Sequence, residues 1–138
     1  MRKLLLIIVL LAMGCKSNPD KHIEFIEGYW EIESVYKNNQ LLRTFKINSG
    51  IDYFKINADL KGFRKKLKPN FNGTFETSKD ILNFKIEIKN NVLFLNYIDN
   101  GTSYFEEVLL VNDKKLVLKN RFGLIYHYVP YELLDLSQ

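Results

Sequence analysis

The sequence predicts an all-β protein whose antiparallel strands form a meander and close into a barrel of about eight strands. Turn residues, mostly Asn, Asp and Gly, recur at intervals of roughly ten after position 28. Between them apolar and polar residues alternate, and no stretch after residue 28 keeps a helical period over three turns. Closure is expected because it removes the free edges of so many short strands.

The predicted turns contain residues that accept the positive φ angles of tight hairpins. They are Asn38-Asn39, Asn48-Ser49-Gly50, Asn70 to Gly73, Asn90-Asn91, Asp99-Asn100-Gly101, Asn112-Asp113 and Asn120 to Gly123. The predicted strands are 29–36, 41–47, 51–58, 61–67, 73–78, 82–89, 92–98, 103–111, 115–119 and 124–130. Segments 41–47 and 61–67 have a second interpretation, as loop or a helical turn.

The alternation also predicts which side chains point into the barrel. If Trp30 faces inward, Ile32 does too, and the rest of the inward set follows strand by strand. It comprises Phe54, Ile56, Phe84, Ile86, Leu93, Leu95, Tyr97, Phe105, Leu109, Tyr126 and Tyr128. An eight-stranded barrel is either filled by such side chains or holds one small ligand, and both interpretations stay open. For the second, the candidate ligand contacts are Trp30, Phe54, Phe84, Tyr97, Phe105, Tyr126 and Tyr128.

The first residues have the pattern of a bacterial lipoprotein signal. Two basic residues precede the apolar run 4–13, and Gly14 precedes Cys15, the only cysteine of the chain. As a helix this run extends about 15 Å, half of the roughly 30 Å hydrocarbon core of a bilayer. We therefore predict a signal peptide at 1–14, cleavage between Gly14 and Cys15, and acylation of Cys15, for example with palmitate. The alternatives are an ordinary cleaved signal with a free thiol and an uncleaved start.

The predicted lipid also sets the expected domain organisation and location. Residues 15–24 are expected to tether one globular domain at 25–138. Lys16, rather than Asp, follows the predicted acylated Cys15, as is typical of lipoproteins sorted to the outer membrane of two-membrane bacteria. We thus expect a protein that is lipid-anchored in the cell envelope, in the outer membrane and facing the periplasm.

Charge excludes a nucleic-acid function. Without Arg2 and Lys3 the 20 basic residues fall to 18, against 16 acidic ones, which leaves a net charge of only +2. The basic cluster Lys61, Arg64, Lys65, Lys66 and Lys68 is interpreted either as a solvated hairpin or as a contact for anionic lipid headgroups or an acidic glycan.

No catalytic or metal site, and no cofactor, is expected. His22 and His127 lack a second His or Cys at ligand spacing. The adjacent Glu106 and Glu107 point to opposite faces of a strand, so they cannot form an acid–base pair. The carboxylates Glu24, Glu27, Glu31 and Glu33 are either a glycan-binding set or the outer face of a first strand.

The segment Glu27-Gly28-Tyr29-Trp30-Glu31-Ile32 resembles the Gly-x-Trp start of the first strand in lipocalins. Over residues 25–132 the chain is similar to small bacterial lipocalin-like lipoproteins, in which an acylated Cys and a short tether precede such a strand. The resemblance implies that Gly28 lets the backbone turn into the barrel base and that Trp30 closes that end. It also implies that a late arginine, here Arg121, packs over Trp30.

Together these observations predict a non-enzymatic, membrane-anchored lipocalin-like lipoprotein that binds a small hydrophobic or amphipathic ligand. The alternative is an envelope protein-interaction or inhibitor module with a filled core and an exposed apolar or aromatic patch for its partner. A glycan-binding or cell-wall role is a third interpretation. The volume of the interior cavity distinguishes ligand binding from docking.

Overall fold

The computed structural model describes residues 19–46 and 50–132. This part contains one 3-10 helix, Pro19–Phe25, and nine strands. The strands are β1 Gly28–Lys37, β2 Gln40–Thr44, β3 Ile51–Ile56, β4 Lys61–Pro69, β5 Phe75–Lys89, β6 Val92–Asp99, β7 Thr102–Val111, β8 Leu116–Asn120 and β9 Ile125–Pro130. Within it, no helix is long and apolar enough to cross a bilayer.

All paired strands are antiparallel, and β9 pairs with β1, so the sheet closes into an eight-stranded barrel. The predicted fold class is confirmed. The first half of β1 pairs with β3, and its second half pairs with β2 on the same side. The closed wall therefore consists of β1 and β3–β9, with β2 extending it beside the second half of β1.

The two ends of the barrel differ. We call the end that holds the 3-10 helix and the start of β1 the lower end. The turns that join β1 to β2, β6 to β7 and β8 to β9 lie at the opposite, upper end, because successive strands run antiparallel. The β4–β5 hairpin bends away from that end, since Phe75 beside its turn contacts Tyr29 and Tyr131. The functional groups of the barrel are located relative to these two ends.

The hairpin turns have the backbone that their residues predict. At Asn38-Asn39 the φ angles are 50° and 60°, and at Asn90-Asn91 they are 51° and 63°. Two successive positive φ angles are what a type I′ hairpin turn requires. The Asn100-Gly101 turn, with φ angles of 47° and 80°, follows the same rule. Positions 48 and 49 of the predicted turn at 48–50 lie outside the described residues.

One ambiguity of the strand prediction is resolved and one of its features is wrong. The segments 41–47 and 61–67, for which a loop was the second interpretation, contribute strands β2 and β4. The separate strands predicted at 73–78 and 82–89 are wrong, since both belong to the 15-residue β5. The β4–β5 register shifts between the pairs Lys65–Ile81 and Leu67–Thr77, so the extra residues 78–80 of β5 form a bulge opposite Lys66. A bulge lets paired strands bend without ending the pairing.

The core fills the barrel from the helix upward. Its buried members are Ile26, Trp30, Phe54, Phe84, Ile86, Leu93, Leu95, Tyr97, Val111, Leu116, Leu118 and Tyr128. Aromatic rings contact one another within it: Phe54 and Phe84 are tilted, with centroids 6.2 Å apart, and Phe84 and Tyr97 pack edge to face, with centroids 5.6 Å apart. Ile23 and Phe25 of the 3-10 helix pack against this core. Part of the segment predicted as a tether is therefore in contact with the barrel.

Trp30 closes the lower end, as expected. Its indole Nε1–H donates to the carbonyl oxygen of Ile26 at 2.9 Å, and both residues are buried. Gly28 has a φ of 140°, which L side chains rarely adopt, so a glycine there lets the chain turn from the helix into β1.

The predicted contact between Arg121 and Trp30 is wrong. Arg121 precedes β9 at the upper end, where its guanidinium carbon lies 4.7 Å from the ring centroid of Phe122. Trp30 pairs with Pro130, at the lower end of the same strand. The length of β9 therefore separates the two side chains.

Phe105 and Leu109 face outward, contrary to prediction. The β6–β7 register pairs Tyr97 with Tyr104 and Asn96 with Phe105, which places Phe105 on the outer face. It is 44% exposed and packs edge-on against Phe94, with ring centroids 5.7 Å apart. Leu109 lies at a register shift of β7, where strict alternation ends. The remaining predicted inward residues are buried or pack against the core.

Candidate functional site

An arginine lies inside the barrel and brings two carboxylates together. Arg64 shares the inward face of β4 with Gly62 and Lys66, because side chains two apart point the same way. Its Nε donates to Oδ1 of Asp52 and its Nη2 to Oδ2, both at 3.2 Å. Its Nη1 donates to the two carboxylate oxygens of Glu106, at 3.4 and 3.2 Å. A planar guanidinium suits such paired contacts.

Two tyrosines complete this arrangement. Nη2 of Arg64 also donates to the hydroxyl of Tyr128 at 2.8 Å, and the hydroxyl of Tyr97 donates to Oε2 of Glu106 at 2.8 Å. We call Asp52, Arg64, Tyr97, Glu106 and Tyr128 the inner cluster. Below it lies the packed apolar core, so the inner cluster separates that core from the upper end.

The members of the inner cluster stabilise one another inside the barrel. Asp52 is 1% exposed, and a buried carboxylate is costly unless it is paired and hydrogen-bonded. Burial works to raise the pKa of Asp52, but the charges and hydrogen bonds of Arg64 and Lys66 outweigh it and hold that pKa below its ordinary value of 3.8. Burial is the main cause that raises the pKa of Tyr97 and of Tyr128. Both hydroxyls therefore stay protonated at neutral pH.

Lys66 joins the inner cluster to solvent. Its Nζ lies 2.9 Å from the Asp52 carboxylate, while its side chain is 62% exposed. Lys66 thus supplies the second cation that Asp52 faces, from the open side of the barrel.

A cavity of about 740 Å³ opens above the inner cluster. Its base is formed by Asp52, Arg64 and Lys66, one wall by residues 78–82 of β5, and its rim by Asp99 and Asn100 at the β6–β7 turn. Small-molecule sites have volumes of roughly 300–1,000 Å³. The size therefore fits a small ligand, but the lining is mixed polar and apolar.

Other groups considered from the sequence have structural roles. Glu27 accepts hydrogen bonds from Lys55 Nζ at 2.7 Å and from the backbone N–H of Ile56 at 3.0 Å, which ties the start of β1 to β3. His127 packs against the ring of Tyr36, with centroids 4.8 Å apart. Over residues 19–46 and 50–132, no three His, Cys, Asp or Glu side chains come together as a possible metal site.

Comparison with known protein families identifies the family to which this chain belongs. The model of the lipocalin-like domain family matches residues 26–118, more than half of the 138-residue chain. The chain belongs to this family. No curated protein matches it.

Solved structures similar to this lipocalin-like barrel include two from Bacteroides. A protein from Bacteroides eggerthii DSM 20697 has 13% sequence identity and a TM-score of 0.47, covering 76% of this chain and 98% of its own. A lipocalin-like protein from Bacteroides uniformis ATCC 8492 has 10% identity and a TM-score of 0.46, covering 76% and 97%. Apocrustacyanin C1 has 13% identity and a TM-score of 0.46, covering 88% and 69%.

The aromatic candidates occupy different places in the lipocalin-like barrel. Five of them belong to the packed core: Trp30, Phe54, Phe84, Tyr97 and Tyr128. Tyr126 packs against that core, and its hydroxyl accepts a hydrogen bond from Asn120 Nδ2 at 3.3 Å. Phe105 is on the outer face. None of the seven lines the 740 Å³ cavity, and their contact with a ligand stays a prediction. Gly14 and Cys15 lie outside the described residues.

The charged residues at the cavity base carry only a weak sequence signal. By sequence, Arg64 and Lys66 belong to the basic cluster interpreted as a solvated hairpin or an anion contact, yet Arg64 points into the lipocalin-like barrel. Asp52 alternates with Phe54 and Ile56, two residues that were predicted to face inward. A charge in register with an apolar inward set is the signal that indicates a buried polar site.

The low pKa of Asp52 makes the stability of the lipocalin-like barrel depend on pH. A carboxyl group whose pKa is lowered by folding contributes stability that is complete above its unfolded pKa, and this stability is lost as pH falls through the folded value. We therefore expect the free energy of unfolding to fall from about pH 4 downward, and Asp52→Asn to reduce this dependence.

Urea denaturation between pH 2.5 and 7 measures that effect. Asp59→Asn is the matched control, since Asp59 is an exposed turn residue with a lysine partner 3.7 Å away. If Asp52→Asn and Asp59→Asn keep the same acid slope as the unmodified protein, the buried carboxylate is not the cause.

Proposed function

We propose that this protein binds one small amphipathic molecule in the cavity at its upper end, while an acylated Cys15 attaches it to a bilayer. The observation that carries the proposal is the cavity of about 740 Å³, which ends on charged side chains inside the barrel. The lipocalin-like fold typically binds small hydrophobic ligands, and proteins of this family are generally binding proteins rather than enzymes.

The lining favours an amphipathic ligand over a purely apolar one. Ile81 and Leu82 offer apolar surface on the β5 wall, whereas Lys66 and Ser78 offer hydrogen-bonding groups. Specific pockets combine apolar surface with a few polar groups that orient the ligand. The aromatic residues below are already packed against one another, so the space for a ligand lies above them.

Native mass spectrometry of the full-length protein, purified in mild detergent from a bacterial envelope, tests the binding function. We expect a co-purifying molecule that is lost in Ser78→Trp, because the larger side chain fills the cavity. Ser103→Trp is the control, since Ser103 is exposed on β7 and does not line the cavity. A protein that carries no ligand and takes none up from an envelope lipid extract contradicts the proposal.

The proposed anchor fits the geometry of the lower end. Four Cα–Cα steps of about 3.8 Å separate Cys15 from Pro19, so acylation there keeps the 3-10 helix within about 15 Å of the lipid. The cavity opens at the opposite end and thus faces away from the bilayer that holds the lipid. In a two-membrane bacterium, we propose the outer membrane with the barrel in the periplasm.

Metabolic labelling with palmitate tests the anchor. In a host with lipoprotein-processing enzymes we expect label on the unmodified protein and none on Cys15→Ser, which leaves the membrane fraction because its acyl chains are missing. Ser17→Ala, two positions away, keeps both the label and the location. Equal membrane association of Cys15→Ser and the unmodified protein rules out this anchor.

A second candidate function, docking of an envelope protein, is favoured by an aromatic band on the outer wall. Its members are Tyr29, Tyr53, Phe63, Phe75 and Tyr131, whose neighbouring ring centroids lie 4.7–6.1 Å apart. Tyr29 is exposed and aromatic side chains often anchor interfaces. A photo-crosslinking residue at Tyr29 is expected to capture one defined protein in cells if docking is the function, and none if it is not.

A further inference from the structure

We propose that the cavity selects a ligand with one anionic group, a carboxylate or a phosphodiester, which binds at Lys66 while its apolar part lies along Ile81 and Leu82. This inference rests on the proposed binding function and specifies the chemistry of its ligand.

The two most buried charges at the cavity base are engaged with each other, and Asp52 is only 1% exposed. All three nitrogens of Arg64 already donate within the inner cluster, at 2.8–3.4 Å. The Asp52 carboxylate accepts two hydrogen bonds from Arg64 and one from Lys66. A ligand therefore finds neither a free donor on Arg64 nor a ready acceptor on Asp52.

Lys66 is the member of the base that can bind a ligand. An ammonium group has three donors, and among residues 19–46 and 50–132 the contacts of its Nζ go to the Asp52 carboxylate alone. The side chain is more than half exposed, so the remaining donors are available on the cavity side. The base thus presents a positively charged donor, which an anionic or acceptor group matches.

The charges of the base leave Lys66 as its exposed cation, with a side chain 62% exposed against 13% for Arg64. Arg64 and Lys66 face the cavity against one carboxylate, Asp52. The second carboxylate, Glu106, binds Nη1 of Arg64 and the hydroxyl of Tyr97, and it is absent from the cavity lining. Two cations, Arg64 and Lys66, thus balance two carboxylates, Asp52 and Glu106, and the cation that this base exposes to the cavity is Lys66.

Away from the base the cavity has an excess of negative charge. Asp80 on the β5 wall and Asp99 at the rim stand against one cation, Lys79, so a second anionic group there would meet two carboxylates. Like charges repel. The cavity should accordingly reject a molecule with an anionic group at each end.

Isothermal titration of the full-length protein at pH 7 with three ten-carbon probes tests this selectivity. The probes are decanoate, 1-decanol and decanedioate, which carry one anionic group, none, and one at each end. We expect decanoate to bind about tenfold more tightly than either of the others, since one charge-assisted hydrogen bond has about that effect.

Variants of β4 assign the effect to Lys66. Lys66→Gln is expected to weaken decanoate binding about tenfold and to leave 1-decanol binding unchanged. Lys61→Gln is the control, because Lys61 is equally exposed on the same strand but lies at the lower end, paired with Asp59. The fold tolerates Lys66→Gln because Asp52 keeps both hydrogen bonds to Arg64.

Vesicles containing phosphatidylglycerol, a lipid with one phosphodiester charge, form a second arm of the experiment. Transfer of that lipid to the protein identifies a headgroup as the source of the anion, whereas decanoate binding without transfer identifies a free acid. Equal affinity for decanoate and 1-decanol, unchanged in Lys66→Gln, overturns the anionic selectivity and leaves ligand binding intact. If no probe binds and no molecule co-purifies, the proposed function fails with it.

Discussion

Replacing Arg64 with Met is expected to lower the free energy of unfolding by about 3–5 kcal/mol. The substitution keeps an unbranched side chain of similar length but leaves Asp52 and Glu106 buried without their shared cation. Removing one partner of a buried ion pair strands the other charge in a medium that solvates it poorly. Guanidinium denaturation at pH 7, followed by circular dichroism, measures the loss as a lower midpoint at unchanged slope.

Two comparisons separate this effect from a general loss of positive charge. Lys68→Met removes an exposed lysine of the same strand, whose Nζ is 3.9 Å from Glu76, and is expected to cost less than about 1 kcal/mol. Adding Asp52→Asn and Glu106→Gln to Arg64→Met should restore much of the stability, because no unpaired charge is then buried. Equal midpoints for Arg64→Met and Lys68→Met contradict the structural role of the inner cluster.

Replacing Trp30 with Ala is expected to destabilise the barrel by about 3–5 kcal/mol. Trp30 is buried beside Ile26 at the lower end, so its removal leaves a large void and breaks the hydrogen bond from Nε1 to the carbonyl oxygen of Ile26. Trp30→Phe should lower the free energy of unfolding by less, since it keeps most of the apolar volume although it also loses the hydrogen bond. Circular dichroism is the suitable probe because Trp30 is the only tryptophan of the chain.

Phe71→Ala is the matched control for that experiment. Phe71 is also a large aromatic residue, but it is 93% exposed at the tip of the β4–β5 hairpin, and its replacement should change stability by less than about 0.5 kcal/mol. A thermal midpoint for Trp30→Ala close to that for Phe71→Ala would show that Trp30 does not close the lower end.

The fold was predictable because its signals are local. A pair such as Asn38-Asn39 sets a turn through the conformations that asparagine tolerates, and period-two alternation sets the faces of the strands between turns. These signals fail where the register shifts. The bulge in β5 lies between two predicted strands and joins them into one, and the shift in β7 turns Leu109 outward, although neither position carries a residue that marks a bulge.

The site was less predictable because it depends on pairing between distant strands. Arg64 meets Asp52 across 12 residues of sequence and Glu106 across 42. A charged residue in a lysine-rich segment has the same local pattern whether it points into solvent or into the barrel. Only the register of β3, β4 and β7 brings two carboxylates around one guanidinium, and that register is a property of the closed sheet.

The 3-10 helix and Trp30 close the lower end of the described barrel, so its cavity opens only at the upper end. A molecule bound above Arg64 would enter and leave by this same end. A second molecule would bind only after the first had dissociated. One ligand would therefore replace another at the upper end, and no ligand would pass through the barrel from one end to the other. Under the proposed binding function, such a site suits storage of a ligand or its presentation to an acceptor at the upper end, and it is unsuited to pass a ligand through the barrel.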